Sequence, residues 1–230
     1  MKKIIFLFLA IAGYAINNEP DGFNVGILTI NDNRLSFINT GYNTINSDIN
    51  LPNISGSDDA EEYSALLANR VNAQIREELE ALWAATSHVD FTANYDIYQA
   101  SNLPIVSLLL NFSRYTGGAN AMINLESVSF NYDTGERLEW ANIFSPQAKD
   151  FFVTDINRQI SEANAHSSEQ NPTIFFDGSL INLDKAHWFF NQNEFILIFD
   201  LYELGPRASG NIRFSYSIQA LINNDLLTLR

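Results

Sequence analysis

The side chains available for chemistry in this 230-residue chain are few, and the absence of cysteine removes the most reactive of them. Thiol nucleophiles and thiolate metal sites are excluded outright. The three histidines are His88, His166 and His187. None pairs at the i, i+4 spacing that sets two imidazoles on one helix face. His166 lies in a polar run and His187 opens the aromatic run His187–Trp188–Phe189–Phe190, so solvent or core roles are the better reading. The G-x-S-x-G elbow of serine hydrolases is absent.

Asp133–Thr134–Gly135 has the composition of an aspartic-protease site, where two carboxylates share a proton. A single copy requires a homodimer, and Glu136 follows where such sites carry Ser or Ala. Asp-x-Gly is also ordinary turn chemistry, and the turn is the preferred reading. Glu126, Asp133, Glu136 and Glu139 could converge as a glycosidase-type acid pair. A solvated hairpin face uses the same residues, and is preferred. Ser113–Asn120, SRYTGGAN, carries two adjacent glycines but matches neither G-x-x-x-x-G-K-[ST] nor G-x-G-x-x-G opening a helix. Phosphate binding is set aside in favour of a tight turn between two strands.

The elements that must position these residues follow from pattern. MKKIIFLFLAIAGYA has a basic start, a short apolar run and a small-x-small end, so residues 1–15 are expected to be a signal peptide cleaved after Ala15. About nine apolar residues fall short of the roughly twenty a spanning helix needs, and no stable membrane insertion is expected after cleavage. Residues 16–58 read as short strands and turns, ending in turn material at Leu51–Gly56. Asp58, Asp59, Glu61 and Glu62 then load a helix start, and Tyr63, Leu67, Val71, Ile75, Leu79 and Leu82 form one stripe to about Ala85.

Val89–Tyr98 alternates as a half-buried strand, and Pro104–Phe112 reads as a more buried one. Along Ala121–Tyr132 the apolar positions switch from odd to even, which predicts a bulge near Glu126–Ser127. A second helix is predicted over Ala148–Ala163, burying Phe151, Phe152, Ile156 and Ile160. His166–Thr173 reads as a loop. Extended pieces follow at Ile174–Phe176 and His187–Phe190, and closing strands at Glu194–Leu201 and Asn211–Leu221. Many strands and few helices, without regular alternation, predict an α+β fold with mainly antiparallel sheet and two principal helices. A smaller N-terminal part over 16–112 and a larger C-terminal part over 113–230 are expected.

Formal net charge is −14; losing Lys2 and Lys3 with the leader gives 11 − 27 = −16. Nucleic acid and anionic lipid are thereby poor partners, since no phosphate-neutralising basic patch exists. A cationic protein suits this field through electrostatic steering.

Tyr115–Thr116–Gly117–Gly118–Ala119–Asn120 resembles a Tyr-Thr-Gly-Gly-Ala-His signature. Asn131–Tyr132–Asp133, Thr134–Gly135 and Ile143–Phe144 resemble its continuation, and Phe199–Gly210 a second signature near Phe-x-x-Tyr-x-Ile-x-Pro-Tyr-x-x-Gly. From about Ile45 to the C-terminus the chain is similar to the RsiV-like extracytoplasmic region, also found in PdaC-type peptidoglycan deacetylases. The resemblance implies an α+β domain outside the cytoplasmic membrane, periplasmic or secreted. It implies lysozyme binding, as in RsiV-type anti-sigma factors, and a surface drawing on Tyr115, Thr116, Gly117, Gly118, Asn120, Asp133, Tyr202 and Arg207. Asn120 stands where the signature has His, and Arg207 where it has Tyr. The leading expectation is an exported cell-envelope binding domain with no cofactor, no metal and no catalytic residue. A peptidoglycan hydrolase or modifying enzyme with clustered carboxylates is the alternative.

Overall fold

The computed structural model describes residues 23–25, 28–39, 45–56, 69, 72–73, 90–115, 119–166, 175–176, 178 and 180–229. The signal peptide, His88, the Thr116–Gly118 stretch and the loop over 167–174 lie outside them, as does most of the helix expected from Asp58. Within that helix Asn69, Asn72 and Ala73 are helical.

The fold is α+β, with antiparallel strands in the majority. One sheet has six strands in sequence order: β1 (Phe23–Val25), β2 (Leu28–Asn39), β3 (Ile45–Gly56), β4 (Asp90–Gln99), β5 (Ile105–Tyr115) and β6 (Met122–Asn131). Among the described residues of this sheet, β3 and β4 pair in parallel, at Ser47–Ile49 and Phe91–Ala93. A parallel neighbour needs a crossover connection, and residues 57–89 supply it. Leu51–Gly56, expected as a turn, instead continues β3, paired with β2 through Leu28↔Gly56. Beyond its pairing with β4, β3 is capped by an amide. Asn72 accepts from the Ile54 N–H at 2.8 Å and donates to its carbonyl at 2.7 Å, in place of a neighbouring strand.

The second sheet has three antiparallel strands in order: β7 (His187–Asn191), β8 (Glu194–Phe199) and β9 (Ile212–Ser217). It lies between the first sheet and the helices. Phe189, Ile196 and Ile198 face Tyr98, Leu109 and Leu125. On the opposite face Phe190, Phe195, Leu197, Phe214 and Tyr216 pack with Phe152, Ile156 and Ile160 of the long helix α2 (Ala148–Ala165). Phe195 centres an aromatic cluster, with ring centroids 4.8 Å from Phe144, 5.3 Å from Phe190 and 5.5 Å from Phe152. Two shorter helices complete this layer, α1 (Trp140–Ile143) and α3 (Ile218–Asn223).

Three expectations are corrected. β6 has no bulge: its register with β5 is unbroken from Ile105↔Asn131 to Arg114↔Met122. The phase switch instead reports which face is covered. Leu125 is buried against the second sheet, whereas Val128 and Phe130 are buried on the opposite face. Phe151 on α2 is not buried but 38% exposed, one position off the face that carries Phe152. The last expected strand ends at Ser217, whose hydroxyl accepts from Ala220 N–H and starts α3. Ile218 and Leu221 then take the three-residue spacing of a helix face.

The predicted turn after β6 is present, and Asn131 and Thr134 supply side-chain acceptors to its backbone. Asn131 Oδ1 takes the Asp133 and Thr134 N–H groups at 2.8 and 3.2 Å. Gly135 adopts φ +66°, a conformation open to glycine at little cost.

Candidate functional site

β7 lies obliquely over β6, β5 and β4, and its free edge shows how. Trp188 N–H donates to Ser127 Oγ on β6 at 3.0 Å. Phe190 N–H donates to Ser107 Oγ on β5 at 3.1 Å. Gln192 N–H donates to the Gln99 carbonyl at the end of β4 at 2.7 Å. Successive alternate residues thus meet successive strands. Ser107 also shares a buried 2.7 Å hydroxyl contact with Ser129. An edge strand exposes a row of unpaired backbone groups, and these serines satisfy it without a further strand. Neither serine stands out in the sequence, because a buried hydroxyl has no periodic signature.

Where β7 begins, a polar cleft of about 420 Å³ opens beside the outer edge of β6. Glu126 and Ser127 line it from β6, Arg137 from the segment after the turn, Asp184 and Lys185 from a 3-10 turn, and Asp200 and Glu203 from the end of β8 and beyond. His187 stands among them. Its Nε2 is 3.4 Å from Asp200 Oδ2 and its Nδ1 is 3.8 Å from Glu126 Oε2. The other Asp200 oxygen accepts the Leu125 N–H of β6 at 3.2 Å. Burial works against a charge on His187. The hydrogen bond and charge of Asp200, with the charges of Glu126 and Glu203, outweigh it and raise the imidazole above its ordinary range.

Lys185 pairs with Glu203 at 3.4 Å, Lys149 with Asp184 at 2.6 Å, and Arg137 with Glu139 at 3.1 Å. Among the described residues no group of three or more His, Asp or Glu side chains is placed to hold a metal ion. The four carboxylates singled out in the sequence are dispersed: Glu126 is in the cleft, Asp133 and Glu136 are exposed in the turn, and Glu139 is engaged by Arg137.

The signature residues fall at two places. Tyr115 ends β5, 41% exposed, and Asn120 is exposed just before β6. The second signature comes alongside: both terminal nitrogens of Arg207 donate to the Ala121 carbonyl, at 3.3 and 3.2 Å. Tyr202 in the same loop is 59% exposed and holds φ +69°. That is an uncommon backbone for a bulky residue, of the kind that accumulates at functional sites. Asp133 belongs to the other end of β6. Ten residues at about 3.4 Å each put it roughly 30 Å from the hairpin tip. Thr116, Gly117 and Gly118 lie outside the described residues.

Known proteins share this architecture. Residues 141–217 match the family model DUF3298, a protein of unknown function. The chain is similar to the crystal structure of a DUF3298 family member from Bacteroides fragilis, with a TM-score of 0.58 and 13% identity, over 89% of this chain and 95% of that one. It is also similar to a DUF3298 family protein from Pseudomonas aeruginosa, with a TM-score of 0.54 and 12% identity, over 86% and 94% of the two chains. At these identities the likeness is one of fold. No curated protein matches the chain. The matched segment runs through α2 and the three-stranded sheet, and contains Ile143–Phe144 and Phe199–Gly210.

Proposed function

We propose that this chain is an exported cell-envelope domain that binds a ligand without converting it, and that its partner is a cationic envelope protein such as lysozyme. The observation that carries the reading is the Arg207–Ala121 clasp, which ties the second signature segment to the residue that directly follows the first. The surface there presents Tyr115, Asn120, Met122 and Tyr202 to solvent. Large amphipathic side chains of this kind are enriched at protein interfaces. A formal charge of −14 supports a basic partner, because opposite fields speed encounter. Among the described residues no helix is long and apolar enough to cross a membrane. The leader-like N-terminal sequence supports a periplasmic or secreted location.

Titrating the purified protein with lysozyme by calorimetry, at low and moderate salt, tests the proposal. The expected result is a complex that weakens as salt rises, since exposed charges are screened within about 10 Å at 0.1 M. Tyr202→Ala is expected to weaken it further. Absence of binding at low salt would sink the lysozyme assignment. Release of soluble fragments from peptidoglycan by the protein would overturn the non-catalytic reading.

A further inference from the structure

We infer that His187 is a pH-operated latch between the two sheets, tying Asp200 and Glu126 together when protonated and releasing them when neutral. The geometry of the ring carries this. Nε2 faces Asp200 at 3.4 Å and Nδ1 faces Glu126 at 3.8 Å, so both nitrogens look at carboxylates. An imidazolium donates from both nitrogens, whereas either neutral tautomer must turn one lone pair toward an acid. Only the charged ring satisfies both sides.

Asp200 makes the ring's state felt elsewhere. Its Oδ1 holds the Leu125 N–H on the edge of β6 while its Oδ2 holds His187 on β7. The groups facing the ring come from every neighbouring element. They are Glu126 from β6, Asp200 and Glu203 from the end of β8 and the loop after it, Asp184 and Lys185 from the 3-10 turn, and Arg137 from the segment following β6. Lys185 is engaged by Glu203, and Asp184 by Lys149. Four acids therefore share the cleft with two permanent cations, and His187 decides whether a third is present. The raised proton affinity of the ring, set against its burial by Asp200, Glu126 and Glu203, agrees with this reading. When the proton leaves, Glu126 on β6 and Asp200 just past β8 face one another across the cleft mouth, and the hold of Asp200 on Leu125 loosens.

The test follows each histidine by imidazole NMR across pH, together with hydrogen-exchange protection of the Leu125 and Trp188 amides. His187 is expected to titrate above the ordinary range of an imidazole. Protection at Leu125 should fall on passing the His187 titration, and His187→Gln should abolish that step. Trp188, held by the Ser127 hydroxyl, should keep its protection throughout. Should His187→Gln fail to fold, Glu126→Gln keeps the idea exposed, since it must move the His187 titration down toward its ordinary value. A His187 titration at or below that value would overturn the latch. So would a Leu125 response that persists unchanged in His187→Gln.

Discussion

His187 and Arg213 stand at the two ends of one cross-strand row in the three-stranded sheet, with Ile198 between them. Each end meets an acid of the six-stranded sheet. His187 faces Glu126 on β6, while Arg213 lies beside Asp96 and the Tyr98 hydroxyl on β4. In the middle, Ile198 packs on Tyr98, Leu109 and Leu125. The same sheet-to-sheet contact is therefore built twice, as a cation against a half-buried acid on either side of an apolar centre. The two ends differ in how they hold their charge. A guanidinium keeps its charge at every pH a protein meets, whereas an imidazole loses it near neutrality. One end is a permanent tie and the other a conditional one.

The apolar centre should dominate both. Ile198 is fully buried, so Ile198→Ala is expected to cost about 2–5 kcal/mol through lost transfer energy and the cavity left behind. Urea unfolding at neutral pH measures it. A loss under about 1 kcal/mol would mean the ends, not the middle, hold the sheets together.

A smaller loss is expected from the serine seam beneath β7. Ser107→Ala strips the Phe190 N–H of its acceptor and Ser129 of its hydroxyl partner, both in buried positions. An orphaned buried polar group costs about 1–3 kcal/mol. This change touches neither end of the row, so its effect should be independent of pH between the carboxylate and imidazole ranges. A pH-dependent loss would show that the seam and the row act as one unit.

Much of this frame is legible in the sequence, and the misses share a cause. The α+β class, the β5–β6 hairpin around SRYTGGAN, the turn at Asp133–Gly135 and helix α2 follow from local chemistry. In each, residues close in the chain determine one another's geometry. The apparent bulge at Glu126–Ser127 fails because it depends on what covers each face. β6 has Leu125 under the second sheet and Val128 and Phe130 on the other side. The cleft is similarly non-local. Glu126, His187 and Asp200 come from β6, β7 and the end of β8, so no spacing rule joins them. The one hint was His187 at the head of an aromatic run, read as core or solvent when it is neither. Arg207 shows the reverse case, a position drawn from a motif that the fold places against Ala121, the residue that follows the other motif.

The two ends of the row make opposite demands on pH, and that is the sharpest use of the comparison. His187 has a folded-state affinity for protons above its unfolded one. Its contribution is thus full below about pH 6.5 and lost as pH rises through the folded value. His187→Gln should cost stability in mildly acid solution, above the carboxylate range near about 4, and little once His187 would be neutral. Asp96 is raised by burial and held down by Arg213. Removing Arg213 raises Asp96 further, so Arg213→Gln adds a penalty for ionising a half-buried acid. That penalty is absent where Asp96 is protonated in both states and grows as pH climbs through its titration. Arg213 is exposed, so solvent screening keeps the effect to about 1 kcal/mol or less. Chemical unfolding of both variants from pH 4 to 8 should give difference curves of opposite slope. Parallel curves would mean that the charge state of the row's ends does not govern how the two sheets are joined.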